Sequence, residues 1–276
     1  MFTEMRGSGS LVREVVAILC AGMVAVPLYL LFVLSLKDQV EMTRSPLSLP
    51  QQPAWSNYTR AYTEALLGQA FASGVAVVLI SLLFIVVAGS LAAYVLVRRS
   101  SGLSNALFFI VVAGMVIPFQ LGMIPLYQMM AKAGLVGSVW SLVVFYSGVQ
   151  MPFTVFLYAG FIRAMPLAFE EAARMDGASS WQMFRLVVFP MLRPITITVV
   201  VLNGVFIWND FLTPLLYLSG SEYQTIPVAV YAFVGQYASD WGLVFAGLVI
   251  AAIPVLTAYL FLQRHLIAGF AGGIKG

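Results

Sequence analysis

The sequence predicts an all-α integral membrane protein with six transmembrane helices and a cytosolic helical elbow between the fourth and fifth. Three observations carry that prediction. First, of the 276 residues 61% are apolar and 9% charged, against about 25% charged in a soluble domain, which leaves too little polar surface to solvate a globule. Second, six segments, near 15–36, 70–97, 103–130, 139–162, 195–218 and 241–262, reach the roughly 20 apolar residues that cross a bilayer at about 1.5 Å rise each. Third, if those segments alternate, ten of the 14 Lys and Arg share one side. These are Arg6, Arg13, Arg98, Arg99, Arg163, Arg174, Arg185, Arg193, Arg264 and Lys275, with Lys37, Arg44, Arg60 and Lys132 opposite. The positive-inside rule then puts both termini and the loop 163–194 in the cytosol. The net charge of +3 is accounted for by this asymmetry and is no sign of nucleic-acid binding.

The first segment follows two arginines, as a secretory signal would. Its apolar run of about 20 residues exceeds the 7–15 of a signal core, and no clear A-x-A cleavage site follows, so an uncleaved anchor is expected. Cys20, the single cysteine, lies in that anchor and excludes an intrachain disulfide and Cys-based metal sites. In the loop 37–69, Pro46, Pro50 and Pro53 predict extended chain. Trp55-Ser56-Asn57-Tyr58 then opens a short interfacial helix, where Trp and Tyr favour the headgroup level. No loop is large enough to fold alone, so 1–276 reads as a single transmembrane domain. No repeat of fixed period appears, and six spans are few for a secondary transporter built from two matched halves.

The loop 163–194 is the long polar passage of the cytosolic side. Pro166 suits a first helical turn, and 167–176 has no breaker before Gly177. Glu170 precedes Arg174 by four residues, a surface pair that adds only about 0.2–0.5 kcal/mol. A helix of about ten residues is marginal alone in water, so it must dock on something. Phe169, Ala172, Ala173 and Met175 form a narrow apolar side flanked by Glu170, Glu171, Arg174 and Asp176. Three acids against one arginine fit a protein groove better than a bilayer, which would select bulky apolar residues and a basic polar face. Gly177 supplies the left-handed stop, and Ser179 with Gln182 has the form of a capping box opening a second arm. Trp181 and Phe184 are expected to seat that arm at the interface, and Pro190 and Pro194 break the chain where it re-enters the membrane.

The fifth segment carries Asp210, the only acid well inside an expected span, about 22 Å along from Ile195. Intramembrane acids mark a cavity or a partner. Asn203 lies seven residues earlier on the same face, Trp208 and Asn209 adjoin Asp210, and Gln120 and Gln150 add amides elsewhere. Asn203, Trp208, Asn209, Asp210 and Gln120 are therefore substrate-path candidates, since amides and a carboxylate beside an aromatic ring offer a polar solute hydrogen bonds and a stacking face. Asp210 and Asn209 equally suit the capping of a helix broken near Pro214. Beyond, the loop 219–240 is polar over Gly220, Ser221, Glu222, Tyr223 and Gln224. A membrane hydrolase needs a nucleophile with a base, and the one histidine, His265, sits at the cytosolic end of the last span and reads as an interfacial residue. One intramembrane acid is few for a proton-coupled transporter.

Glu171-Ala172-Ala173, Gly177 and the Val187-Val188-Phe189-Pro190 ending resemble the EAA loop of bacterial ABC importer permeases, whose usual ending is I-x-L-P. Asp176-Gly177-Ala178-Ser179 and Phe189-Pro190-Met191-Leu192-Arg193-Pro194 are most similar to the carbohydrate-uptake branch, the maltose-type second permease. Trp208 to Leu215, Thr225-Ile226-Pro227-Val228, Phe261 to Arg264 and the Gly272-Gly273-Ile274-Lys275-Gly276 ending look similar too, so the resemblance covers most of the chain. It implies the type I ABC importer permease fold in a bacterial cytoplasmic membrane. It implies as partners a second permease, an ATPase dimer and an extracytoplasmic solute-binding protein, with a sugar as cargo. The elbow would be the coupling helix, with Glu170, Glu171, Ala172, Ala173, Arg174, Asp176 and Gly177 as the ATPase-facing set. The tail residues Gly272, Gly273 and Lys275 would also reach the ATPase, unless they are a frayed end. The 220–224 loop would meet the binding protein. A P-loop needs Gly-Lys before Ser or Thr, and no Gly-Lys pair occurs here. ATP and Mg would therefore belong to the partner, with no catalytic residue, metal or cofactor on this chain. A secondary transporter or a non-transport membrane assembly protein are the alternatives.

Overall fold

The structure, a computed structural model, describes residues 8–45, 47–99, 101–237 and 240–272, with side chains for 13–45, 47–99, 101–237 and 240–257. The described residues are helical and turn, without strands. The chain divides into two compact units, 1–68 with 229–254 and 69–228 with 255–276.

In the first unit, α1 (Ser8–Ser35) exposes Ile18, Leu19, Met23 and Val24, as a lipid-facing anchor does. Asp38 caps α2 (Gln39–Arg44), accepting from Glu41 N at 2.7 Å. The expected helix after the prolines is α3 (Ser56–Glu64). Its buried Asn57 donates to Ser35 O at 3.1 Å and Lys37 O at 2.9 Å, pairing carbonyls at the end of α1 that have no helical partner.

Next come α4 (Leu67–Arg98), α5 (Gly102–Ala113), α6 (Phe119–Lys132), α7 (Val139–Val149) and α8 (Met151–Ala164). The elbow holds α9 (Ala168–Met175), α10 (Ser180–Met183), a π-helical turn (Phe184–Val188) and α11 (Phe189–Met191). After it come α12 (Arg193–Asn209), α13 (Leu212–Tyr217), α14 (Ile226–Gln236) and α15 (Trp241–Gly272). The core of the second unit holds Tyr146, Tyr158, Tyr217, Leu142, Ile162, Val188 and Val199. At Gly89 an added Cβ would lie 2.5 Å from Thr154 Cγ2, so only glycine lets α4 and α8 approach this closely.

Three expected spans are not continuous helices. The third divides into α5 and α6 across 114–118, because Pro118 lacks an N–H and disfavours helical geometry at Ile117. The fourth bends by 45° between α7 and α8, where Pro152 occupies the first turn of α8. The fifth ends at Asn209 and restarts as α13, which puts Asp210 at a break. Among the described residues, α1, over Arg13–Ser35, and α4 are long and apolar enough to cross a membrane alone, and there are up to four such spans if α7 with α8 and 180–191 with α12 each count as one. The loop 219–240 is not all loop, since α14 occupies half of it and buries Ile226, Val228, Ala229 and Phe233.

Candidate functional site

The elbow is built from local rules. Ala178 N donates to Ala173 O at 3.0 Å and Gly177 N to Arg174 O at 3.1 Å; together these form the paired Schellman closure of α9. Closure needs a left-handed residue, and Gly177 has φ +81°. The reciprocal capping box follows, with Gln182 N donating to Ser179 Oγ and Ser179 N to Gln182 Oε1 at 2.8 Å. The π turn before Pro190 absorbs the misfit of a proline entering a helix. The axis then turns by 72° into α12.

The two adjacent glutamates point opposite ways. Glu171 is exposed with Ala172, Arg174, Asp176 and Gly177, whereas Ala173 is half-buried. Glu170 is 4% exposed, so its expected surface pairing with Arg174 gives way to another partner. Arg98 Nε, at the end of α4, donates to Glu170 Oε1 at 2.7 Å, and the Tyr94 hydroxyl donates to Oε2 at 3.0 Å. A carboxylate turned into the protein must be paired, and Arg98 satisfies it more fully than an exposed (i, i+4) neighbour does. Glu170 thus leaves the outward-facing set. Phe184 is also buried, with its ring 5.3 Å from Tyr94 and 6.0 Å from Trp181. Of the two aromatics expected at the interface, only Trp181 is exposed.

The substrate-path candidates are not brought together. Asn203 is fully buried and donates to Val199 O at 2.8 Å and Thr154 Oγ1 at 3.3 Å. Asp210 caps α13, accepting from Leu212 N at 3.1 Å and Thr213 N at 3.4 Å, and takes the Tyr146 hydroxyl at 3.0 Å. Asn209 donates to Val205 O at 2.8 Å, and Trp208 packs edge-on against Phe71 at 5.8 Å. Gln120 is exposed.

A cavity of about 600 Å³ opens elsewhere, where the α5–α6 break meets the α7–α8 bend, and Gly114, Ile117, Phe119, Phe145, Gln150 and Phe206 are among its lining residues. Among the described residues the carbonyls of 114–117 accept no backbone hydrogen bond. In hydrocarbon each unpaired group costs several kcal/mol, so irregular backbone at membrane depth belongs against protein or a wet cavity. None of the described residues that line this cavity is charged. Its sequence signal was Pro118 and Pro152, proline interruptions inside apolar runs.

In the 220–224 loop, Gly220 has φ +75° and Ser221 Oγ donates to Leu218 O at 2.8 Å. Gln69 Nε2 donates to Glu222 O at 3.2 Å. Gly272 ends α15, and Gly273 and Lys275 lie outside the described residues. Among the described residues no cluster of His, Cys, Asp or Glu could hold a metal ion.

Residues 85–271 match the family model described as "Binding-protein-dependent transport system inner membrane component". The chain is 38% identical to the melibiose/raffinose/stachyose import permease protein MelC of Bacillus subtilis (strain 168), covering 91% of each. It is 35% identical to the probable starch degradation products transport system permease protein AmyC of Thermoanaerobacterium thermosulfurigenes, covering 90% of this chain and 91% of that one. Among solved structures, a bacterial ABC transporter involved in the import of the acidic polysaccharide alginate matches with TM-score 0.79 and 23% identity. That match covers 95% of this chain and 99% of that one, and shows the fold.

Proposed function

Because the chain belongs to the family of binding-protein-dependent transport system inner membrane components, we propose that it forms half of the pore of a neutral-saccharide importer driven by a separate ATPase. The chain is a non-catalytic, multi-pass inner-membrane permease subunit of an ABC importer. In the proposed assembly a second permease completes the pore, and an ATPase dimer binding ATP and Mg receives the elbow on each side. An extracytoplasmic binding protein delivers cargo near the 220–224 loop, and both termini face the cytosol. The relatives' names, which give melibiose/raffinose/stachyose import and starch degradation products transport, support a saccharide. The uncharged lining of the cavity supports a neutral one.

The observation that carries the coupling reading is the elbow itself. An eight-residue helix, too short to persist alone in water, is held by its inner face while Glu171, Ala172, Arg174, Asp176 and Gly177 remain outward. The small Ala172 lets a groove wall approach the helix backbone. ATP binding biases the ATPase dimer toward closure, and closure pushes the two elbows of a permease pair together. In the cavity, the aromatic faces and Gln150 offer stacking and amide contacts to a sugar. The test is to purify the importer with wild-type or Glu171→Lys permease. The wild type retains the ATPase and takes up a labelled neutral oligosaccharide, and the variant inserts but loses both. Retention and uptake by Glu171→Lys at wild-type levels overturn the coupling reading.

A further inference from the structure

We propose that Arg98 and Tyr94, on the last turns of α4, act with Glu170 as a strut that makes the elbow move as one body with that span. This rests on the coupling reading above. Arg98 grips two points of the elbow's entry, donating through Nε to Glu170 at 2.7 Å and through Nη2 to Met165 O at 3.3 Å. Tyr94 grips both arms. Its hydroxyl donates to Glu170 at 3.0 Å and lies 3.5 Å from Met183 Sδ, and its ring packs on Phe184 at 5.3 Å. One end of a 32-residue helix therefore holds the entry segment, the first arm and the second arm at once.

The ion pair is nearly dry, with side-chain exposures of 17% for Arg98 and 5% for Glu170. Such a pair contributes little net stability over an apolar pair of similar volume, because desolvation offsets the attraction. What it does supply is fixed distance and direction, since displacing either end strands a charge. A receiver of force docked only by apolar contact would be free to slide along α4. Glu170 and Arg98 are thus positioning residues, and Glu171 beside them is the partner-facing one.

The complete importer, reconstituted in proteoliposomes, gives uptake per ATP hydrolysed, and its melting temperature is followed alongside. The double variant Arg98→Leu/Glu170→Leu removes the strut while keeping the volume filled. Uptake per ATP falls about tenfold or more, within the range of coupling between linked sites, with no matching loss of melting temperature. The swap Arg98→Glu/Glu170→Arg recovers part of the ratio. A wild-type ratio in the double variant overturns the strut. If the double variant does not assemble, Glu170→Gln carries the test, and a full wild-type ratio there overturns it equally. Gly177→Val is the control for the parent reading. Loss of uptake there with a wild-type ratio in the Leu/Leu variant sinks the strut alone, whereas an unaffected ratio in both sinks the elbow as the coupling element.

Discussion

Replacing Gly177 tests whether the elbow works through its backbone turn. The residue has φ +81°, and a Cβ built there meets nothing within 4 Å, so side-chain bulk is not what excludes other residues. What remains is the left-handed conformation, which costs a residue with a Cβ about 1–2 kcal/mol. That shifts the population holding the turn by about 5- to 30-fold. Asparagine visits this region several-fold more readily than most residues, and β-branched residues there are outliers. Sugar uptake by vesicles carrying equal amounts of assembled importer is therefore expected to rank wild type, Gly177→Asn, Gly177→Ala, Gly177→Val. Wild-type uptake by Gly177→Val, or Asn no better than Ala, would refute the reasoning.

Asp210→Asn keeps the cap of α13 and is expected to melt close to wild type. Asp210→Ala loses a cap worth about 0.5–2 kcal/mol and leaves the Tyr146 hydroxyl without its acceptor, at about 1–3 kcal/mol more; thermal unfolding in detergent checks both. Gly89→Ala drives a methyl into Thr154 and is expected to cost about 1–3 kcal/mol. Adding Thr154→Ser, which removes the obstructing Cγ2 but keeps the oxygen facing Asn203, restores most of it. Gln150→Ala in the cavity is expected to raise the half-saturating sugar concentration about 2- to 12-fold, the equivalent of one hydrogen bond of about 0.5–1.5 kcal/mol, with an unchanged melting temperature. An unaltered uptake curve there removes Gln150 from the pathway.

The parts of the fold legible in the sequence are those specified within a few residues. Gly177 and the Ser179–Gln182 box act over one turn, and both stand as their residue types require. The partner of Glu170 lies beyond such rules, because Arg98 is 72 positions away and a spacing rule finds only the neighbour four residues on. The same holds for the cavity, where Phe119, Phe145 and Phe206 come from three helices and meet only after folding. Their backbone cue was nearer to hand in Pro118 and Pro152. An apolar run long enough to span says nothing of whether the helix inside it is continuous. Asp210 illustrates the converse, since both a pathway and a cap are open to it in the sequence, and the folded chain shows the cap in its bonds from Leu212 N and Thr213 N, with the Tyr146 hydroxyl from another helix holding its second oxygen.

The central claim, that the outward face of the elbow seats a separate ATPase, is tested most directly by cross-linking. In a Cys20→Ser background, which removes the one native, exposed cysteine, Ala172→Cys is treated with a short thiol-to-amine cross-linker in membranes containing the whole importer. The expected result is an adduct between the permease and the ATPase subunit whose yield changes when ATP is added. Uptake-competent importer that gives no such adduct from Ala172→Cys, or an adduct with the second permease alone, would contradict it.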